Sequence, residues 1–369
     1  MLKSTLLMRV SLIGNAGRML SAEAKQSTSQ KQILMKLRNK TNYPFISCKE
    51  ALKATGYDME KAELYLVELA KKKGWAKMSS GKQDISEGLI SIVTNKSSAA
   101  IVELNCETDF VAKTDQFQDA LKTIAEVSLN NYHQPGKFSI SSDDILNLQI
   151  PDQQRSIKDL IALTIGKLKE NIIVRRVTIL TPPPEQSLAY YLHPSMLVAK
   201  RIANPLFGGY GSIIAYSKTG DDEAMSQKMF KLRGTQLAQH IVGMQPTSIG
   251  TSPKPVTIQV PKSSLSQMEN DIISEDINNT TAEKDSSVEN NVTAADGNEN
   301  QQANQEEDGS KNTEETVSYT VLPSDENSDE LLKQPFLLES DVSVAHWLQF
   351  NSLQVHDFVR FKVGETTEV

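Results

Sequence analysis

The sequence predicts an α+β fold in which small antiparallel sheets pack on helices. Three observations carry that reading. The runs "EGLISIVTN" and "SAAIVELNC" are rich in β-branched residues and flank a polar turn at Asn95–Ser98, which marks a hairpin. Helical patterns follow. "TDQFQDALKTIAEV" puts Phe117, Leu121, Ile124 and Ala125 on one face, and "SIKDLIALTIGKLKEN" does the same with Ile157, Leu160, Ile161, Ile165 and Leu168. Finally, the succession strand, acidic turn, long helix occurs twice, in "AAIVELNCETDFVAKTDQFQDALKTIAEV" and in "GSIIAYSKTGDDEAMSQKMFKLRGTQLAQHIV". That echo predicts a core of two related halves, 84–150 and 151–260, the second completed by 321–365.

The elements follow in chain order. Residues 1–20 carry Lys3, Arg9 and Arg18 among Leu and hydroxyl residues, with no acid before Glu23. This is the composition of a mitochondrial transit peptide, and "RML-S" places its cleavage near Leu20–Ser21. Between 30 and 75 three short helices are expected. Ile33, Leu34 and Leu37 give the first its apolar stripe. Ser47-Cys48-Lys49-Glu50 has the form of a capping box for the second, and Asp58 of an N-cap for the third, where Ala62, Tyr65, Leu66 and Leu69 recur. Lys71-Lys72-Lys73 and Gly74 suit that helix's C-terminal end. After the hairpin and its helix comes a polar loop, then the second helix and the strand "IIVRRVTIL", stopped by Pro182-Pro183-Pro184. "FGGYG" reads as a turn between the strands "SLAYYLH" and "YGSIIAYSK". Asp221, Asp222 and Glu223 then suit the start of a long helix. "VSVAHWLQF" is expected as a short helix and "VHDFVRFKVG" as the last strand.

Residues 261–320 interrupt this pattern. They hold fourteen acidic residues and three lysines, so the net charge of −7 becomes +4 for the rest of the chain. Asn, Glu, Asp, Ser, Gln and Thr dominate. Such a tract cannot bury enough apolar surface to offset the roughly 1–2 kcal/mol per residue of backbone ordering, and it reads as a disordered acidic insertion.

Catalytic signatures are missing. There is no GxxxxGK[ST] phosphate loop, no HExxH and no GxSxG elbow, so no cofactor site is predicted. The five histidines lack ligand spacing, and His240 falls in a helical stripe, where a packed or hydrogen-bonded role is the default. Cys48 and Cys106 make neither a disulfide framework nor a zinc set and read as buried thiols. No basic run with interleaved aromatics predicts a nucleic-acid surface, and no apolar run approaches the roughly 18 residues of a membrane span.

One stretch stands out, "NCETDFV" at 105–111, with an acid beside a large aromatic where the chain turns. Taken alone, a Phe after a strand reads as core and an Asp at a turn as a cap. Four separated blocks change that weighting. They are "LRNKTNYPFISCKEALKATGYDMEKAELYLVELAKKKGW", "EGLI…IVELNCETDFVAKTDQF", "IGKLKENIIVRRV" and "LLKQPFLLESDVSVAHWLQFNSLQVHDFVRFKVGE", with "QLAQHIVGMQP" between the last two. In this order they resemble the elongation factor Ts family, in its mitochondrial form.

The resemblance implies a ubiquitin-associated-like (UBA-like) domain at 30–75 and guanine-nucleotide exchange on mitochondrial elongation factor Tu in the matrix. It implies a 1:1 heterodimer without a coiled-coil homodimer, and no cofactor. By resemblance, Asp109 and Phe110, flanked by Thr108 and Val111, enter the partner near its Mg²⁺ site. Val111 and Cys106 also pack beneath them, and Leu168 and His193 make lesser contacts. Asn42-Tyr43-Pro44 and Lys169 depart from the bacterial pattern, Lys169 replacing the glycine of "GKLGEN". Two other readings stand beside this one. The three-helix module alone would fit a ubiquitin-binding adaptor, which the transit peptide opposes. An α+β enzyme is opposed by the lack of any acid–base–nucleophile set.

Overall fold

The computed structural model describes residues 30–79, 85–132, 134–151, 153–194, 207–220, 225–261 and 316–366. The expected transit peptide, Asp221, Asp222, Glu223 and residues 262–315 of the acidic tract lie outside them.

Three helices come first: α1 (30–41), α2 (Phe45–Ala54) and α3 (Met59–Ser79). Leu37, Cys48, Ala51, Leu52, Ala62 and Leu66 form their shared core. Two local expectations are corrected here. Ser47 is not a cap: α2 starts at Phe45 behind Pro44, whose fixed φ of −56° pre-sets the first turn, and Ser47 is buried inside the helix. Gly74 does not end α3, which runs five residues further, so the lysine run is mid-helix; Lys71 pairs with Asp159 at 3.6 Å and Lys73 with Glu50 at 4.0 Å. Asp58 does cap, its carboxylate accepting the Lys61 N–H at 3.1 Å.

The core contains β1 (Glu87–Thr94), β2 (Ala99–Cys106), α4 (Asp109–Ala112), α5 (Asp115–Asn131), β3 (Gly136–Ile140), α6 (Ser142–Asn147), β4 (Gln149–Ile150), β5 (Arg155–Ser156), α7 (Ile157–Leu168) and β6 (Ile172–Thr181). It continues with β7 (Ser187–Pro194), β8 (Gly208–Lys218), α8 (Gln227–Met244), β9 (Val256–Pro261), β10 (Thr316–Val321), a 3₁₀ turn (Leu331–Lys333), β11 (Pro335–Phe336), β12 (Glu339–Ser343), α9 (Val344–Phe350) and β13 (Leu353–Lys362). The expected polar loop after α5 therefore holds β3, α6 and the small β4–β5 pair. All of "FGGYG" after Phe207 belongs to strand β8 rather than a turn, because Gly208 lets the backbone approach the His193 carbonyl. The helix α8 begins at Gln227, with Ser226 as its N-cap. Thr316–Val321, of which all but Val321 lie in the tract expected to be disordered, pairs antiparallel with Val256–Pro261.

Strands β3-β6-β2-β1 form one antiparallel group and β7-β8-β13 another, joined through the single pair Ile90↔Gly208. Alternation sorts each strand's side chains. Leu89, Val102 and Leu104 face α5 and α7, whereas Ile214 and Tyr216 face α8. The opposite faces meet, with Ile90, Ile92, Ile101, Leu180, Ile213, Ala215 and Phe361 in one cluster. Strand β2 is consequently buried along its whole length, which explains a continuous apolar run where a half-exposed strand would alternate.

Candidate functional site

Strand β2 ends at Cys106 and the chain turns into α4 within two residues. The Cys106 thiol donates to the Thr108 carbonyl at 3.1 Å. Burial pushes that thiol up to about 12, and the nearby Glu170 carboxylate adds to the rise. It is a neutral packing group.

The turn is braced by residues far away in sequence. Glu170 accepts the Thr108 N–H at 3.0 Å and the Thr108 hydroxyl at 2.8 Å. Glu107 accepts the Asn171 N–H at 2.8 Å and pairs with Lys77 of α3 at 2.9 Å. Burial raises the Glu107 pKa, but the Lys77 and Asn171 bonds outweigh it, so the carboxyl lies below its ordinary value. The Lys77 ammonium also donates to the Lys169 carbonyl at 2.8 Å. The 107–108 turn, the end of α7 and the end of α3 are thus one hydrogen-bonded knot.

From this base Phe110 projects into solvent, 75% exposed, while Val111 beside it and Phe117 behind it are buried. Asp109 pairs with Lys113 one turn on, at 2.7 Å, and the Lys113 ammonium lies 5.2 Å from the Phe110 ring centroid. One cation therefore serves both the acid and the ring.

The expected site residues divide on this geometry. Asp109 and Phe110 form the tip, and Thr108 is its brace. Val111 presents little surface, being buried among core side chains, so it supports the tip from below. Leu168 is half-buried against the same core, two residues from Glu170. His193 is exposed on β7, with the Tyr191 hydroxyl 3.1 Å from its Nδ1 and Tyr210 edge-on at 6.1 Å. No described contact joins it to the tip. Glu170, Asn171, Lys77 and Lys113 were not singled out from the sequence. Lys113 had a readable signal, the i,i+4 spacing from Asp109. The others had none, since their partners are 30 to 92 residues away.

Among the described residues, no three His, Cys, Asp or Glu side chains come together as a metal site. His240 is fully buried. Its Nδ1 accepts the Leu337 N–H at 3.1 Å, so its Nε2 carries the proton donated to Gln334 Oε1 at 3.1 Å.

Comparison with known proteins gives this geometry a context. Residues 107–365 match the family profile "Elongation factor TS", and residues 17–76 match "Elongation factor Ts, mitochondrial, N-terminal". The chain is similar to the protein named "Elongation factor Ts, mitochondrial" from Homo sapiens, at 28% identity over 96% of this chain and 88% of that protein. It is similar to the protein of the same name from Caenorhabditis elegans, at 31% over 93% and 94%. The Salmo salar protein shares 38% over 60% of this chain and 71% of its own length. The first profile alone spans well over half the sequence, and these relatives align along most of their own length: the chain belongs to the elongation factor Ts family.

Proposed function

We propose that this chain is a guanine-nucleotide exchange factor that binds mitochondrial elongation factor Tu·GDP and speeds GDP release, acting in the mitochondrial matrix without covalent chemistry. The observation that carries the mechanism is Phe110, a phenyl ring 75% exposed on a base that is itself tied down. A ring that packed at home would be a core residue. A ring held out on a rigid turn is available to enter another protein. In this reading Phe110 inserts between side chains of the partner's nucleotide domain, and Asp109 disturbs the groups that support its Mg²⁺. Asp109 must first leave Lys113 or carry it along.

Magnitudes set the division of labour. Nanomolar nucleotide binding corresponds to about 12 kcal/mol, while burying one Phe contributes roughly 1.5–3 kcal/mol. Phe110 is therefore the point of application, and the wider surface supplies affinity for the empty partner. The coupling is reciprocal, so the factor weakens GDP by the same ratio as GDP weakens the factor. The helices at 30–79, Leu168 and the His193 face of β7 belong to that wider surface, in a 1:1 complex without a coiled-coil homodimer. The small domain is read as UBA-like and the two strand groups as related halves.

The test is stopped-flow release of fluorescent GDP from mitochondrial elongation factor Tu. Wild type accelerates release, and Phe110→Ala slows it by more than about tenfold, the loss of roughly 1.5–3 kcal/mol of burial, with unchanged thermal unfolding. An unaltered rate in Phe110→Ala removes the wedge; no acceleration by wild type removes the exchange function.

A further inference from the structure

A cleft separates the first helices from the core, away from the Phe110 tip. Lys40, Tyr43 and Glu63 line it on one side and Arg155, Thr164 and Lys167 on the other. Its charges are unevenly satisfied. Lys40 and Glu63 pair at 2.6 Å and cancel. Among the described residues Lys167 pairs with no carboxylate; its ammonium lies over the Tyr43 ring at 5.8 Å. Arg155 donates, among the described residues, to the neutral Gln153 alone, at 2.7 Å. Burial, then the charge of Arg155, holds the Lys167 pKa below its ordinary value. The one remaining acid of the lining, Asp119, is exposed and forms an ion pair with neither cation.

Tyr43 supplies the second observation. The residue is 5% exposed and its hydroxyl makes no hydrogen bond among the described residues, yet it is not one of the buried polar atoms left unpaired, so the oxygen keeps contact with solvent. Burial, offset in part by Arg155, pushes that phenol up to about 12, so it stays a neutral donor. Two uncompensated cations and an idle donor thus border one cavity.

We propose that this cleft is an anion site that takes the phosphate group of a small phosphate-bearing ligand against Arg155, Lys167 and the Tyr43 hydroxyl. A phosphate dianion matches the two positive charges. The donors differ in kind: a planar fork, a point charge and a phenol. Together they suit a tetrahedral oxyanion better than a planar carboxylate. The ligand would bridge the first helices to the core, since Tyr43 lies between α1 and α2 whereas Arg155 lies in β5 and Lys167 in the last turn of α7. The site shares the 30–79 segment with the partner surface proposed above but does not include the Phe110 tip.

The experiment titrates inorganic phosphate, pyrophosphate and GDP into the full chain by calorimetry and thermal unfolding, with chloride holding ionic strength constant. Saturable phosphate binding with a rise in Tm is expected. Tyr43→Phe, which keeps the ring, weakens it about fivefold, the worth of one neutral hydrogen bond. The double change Arg155→Gln with Lys167→Gln abolishes it. Tighter binding of GDP than of phosphate assigns the group to a nucleotide; equal or weaker binding assigns it to free phosphate; both support the site. An equal Tm rise with chloride, an undiminished rise in the double variant, or acetate binding as well as phosphate overturns it.

Discussion

Lys169 holds a backbone conformation that favours glycine. It caps α7 at φ 68°, in the left-handed region, and its N–H closes onto the Ile165 carbonyl at 2.8 Å. A side chain there costs about 1 kcal/mol relative to glycine. Lys169→Gly is therefore expected to stabilise the protein by roughly that amount, read as a higher urea midpoint with unchanged slope. The residue was noticed in the sequence as a departure from "GKLGEN"; the backbone angle is its physical meaning. His240 gives a pH dependence. Burial, opposed by the Gln334 bond, lowers its pKa from 6.5 to about 4. Between those values the unfolded chain takes up a proton that the folded one refuses, so stability is full above 6.5 and falls as the pH drops towards 4. The loss is of the order of 3 kcal/mol. In His240→Gln, urea midpoints measured across this range should show a flatter decline.

Helix α3 shows what periodicity can and cannot give. Its apolar stripe was legible in part: Ala62 and Leu66 are buried as expected, but Tyr65 is 40% exposed and the next buried turn is at Ala70. Its end was not. Gly74 looked like a terminator, yet it is where α3 meets α7: a Cβ there would stand 2.2 Å from the Ala162 carbonyl oxygen, and one on Gly166 would stand 2.5 Å from the Ala70 Cβ. A glycine that ends a helix and one that lets two helices touch are the same letter, distinguished only by a distant partner. Gly74→Ala should cost about 1–3 kcal/mol by forcing these helices apart, measured by thermal unfolding. The same limit hid most of the candidate site. "NCETDFV" was visible as an oddity at a strand end. Its braces Glu170, Asn171 and Lys77 come from other elements, and no local pattern points to them.

At the scale of the whole molecule the two strand groups share one backbone bridge, so other forces hold them. The apolar slab around Ile101 and Ile213 is one. The other is a buried ionic cluster. Glu103 of β2, 0% exposed, takes Arg176 Nε at 2.6 Å and the Gly364 N–H at 2.8 Å. Arg176 also donates to the Lys362 carbonyl at 2.8 Å, and Arg360 pairs with Glu365 at 2.8 Å. Sheet and C-terminal strand are clipped together by charges out of water. Glu103→Ala would strip Arg176, whose side chain is 14% exposed, of its 2.6 Å partner and leave it the Glu365 carboxylate at 3.5 Å, at a cost of about 1.5–3 kcal/mol; urea unfolding should register that loss, with the C-terminal strand losing amide protection first.

The ammonium of Lys113 above the Phe110 ring also bears on how the molecule behaves in a crowd. A phenyl kept in water is an adhesive, ready to stick to a second copy of the chain. A charge parked over its face makes that collision a desolvation of a cation. The tip can stay bare without drawing the molecules into clumps, and only a surface offering the cation a new counter-charge gains by taking the ring.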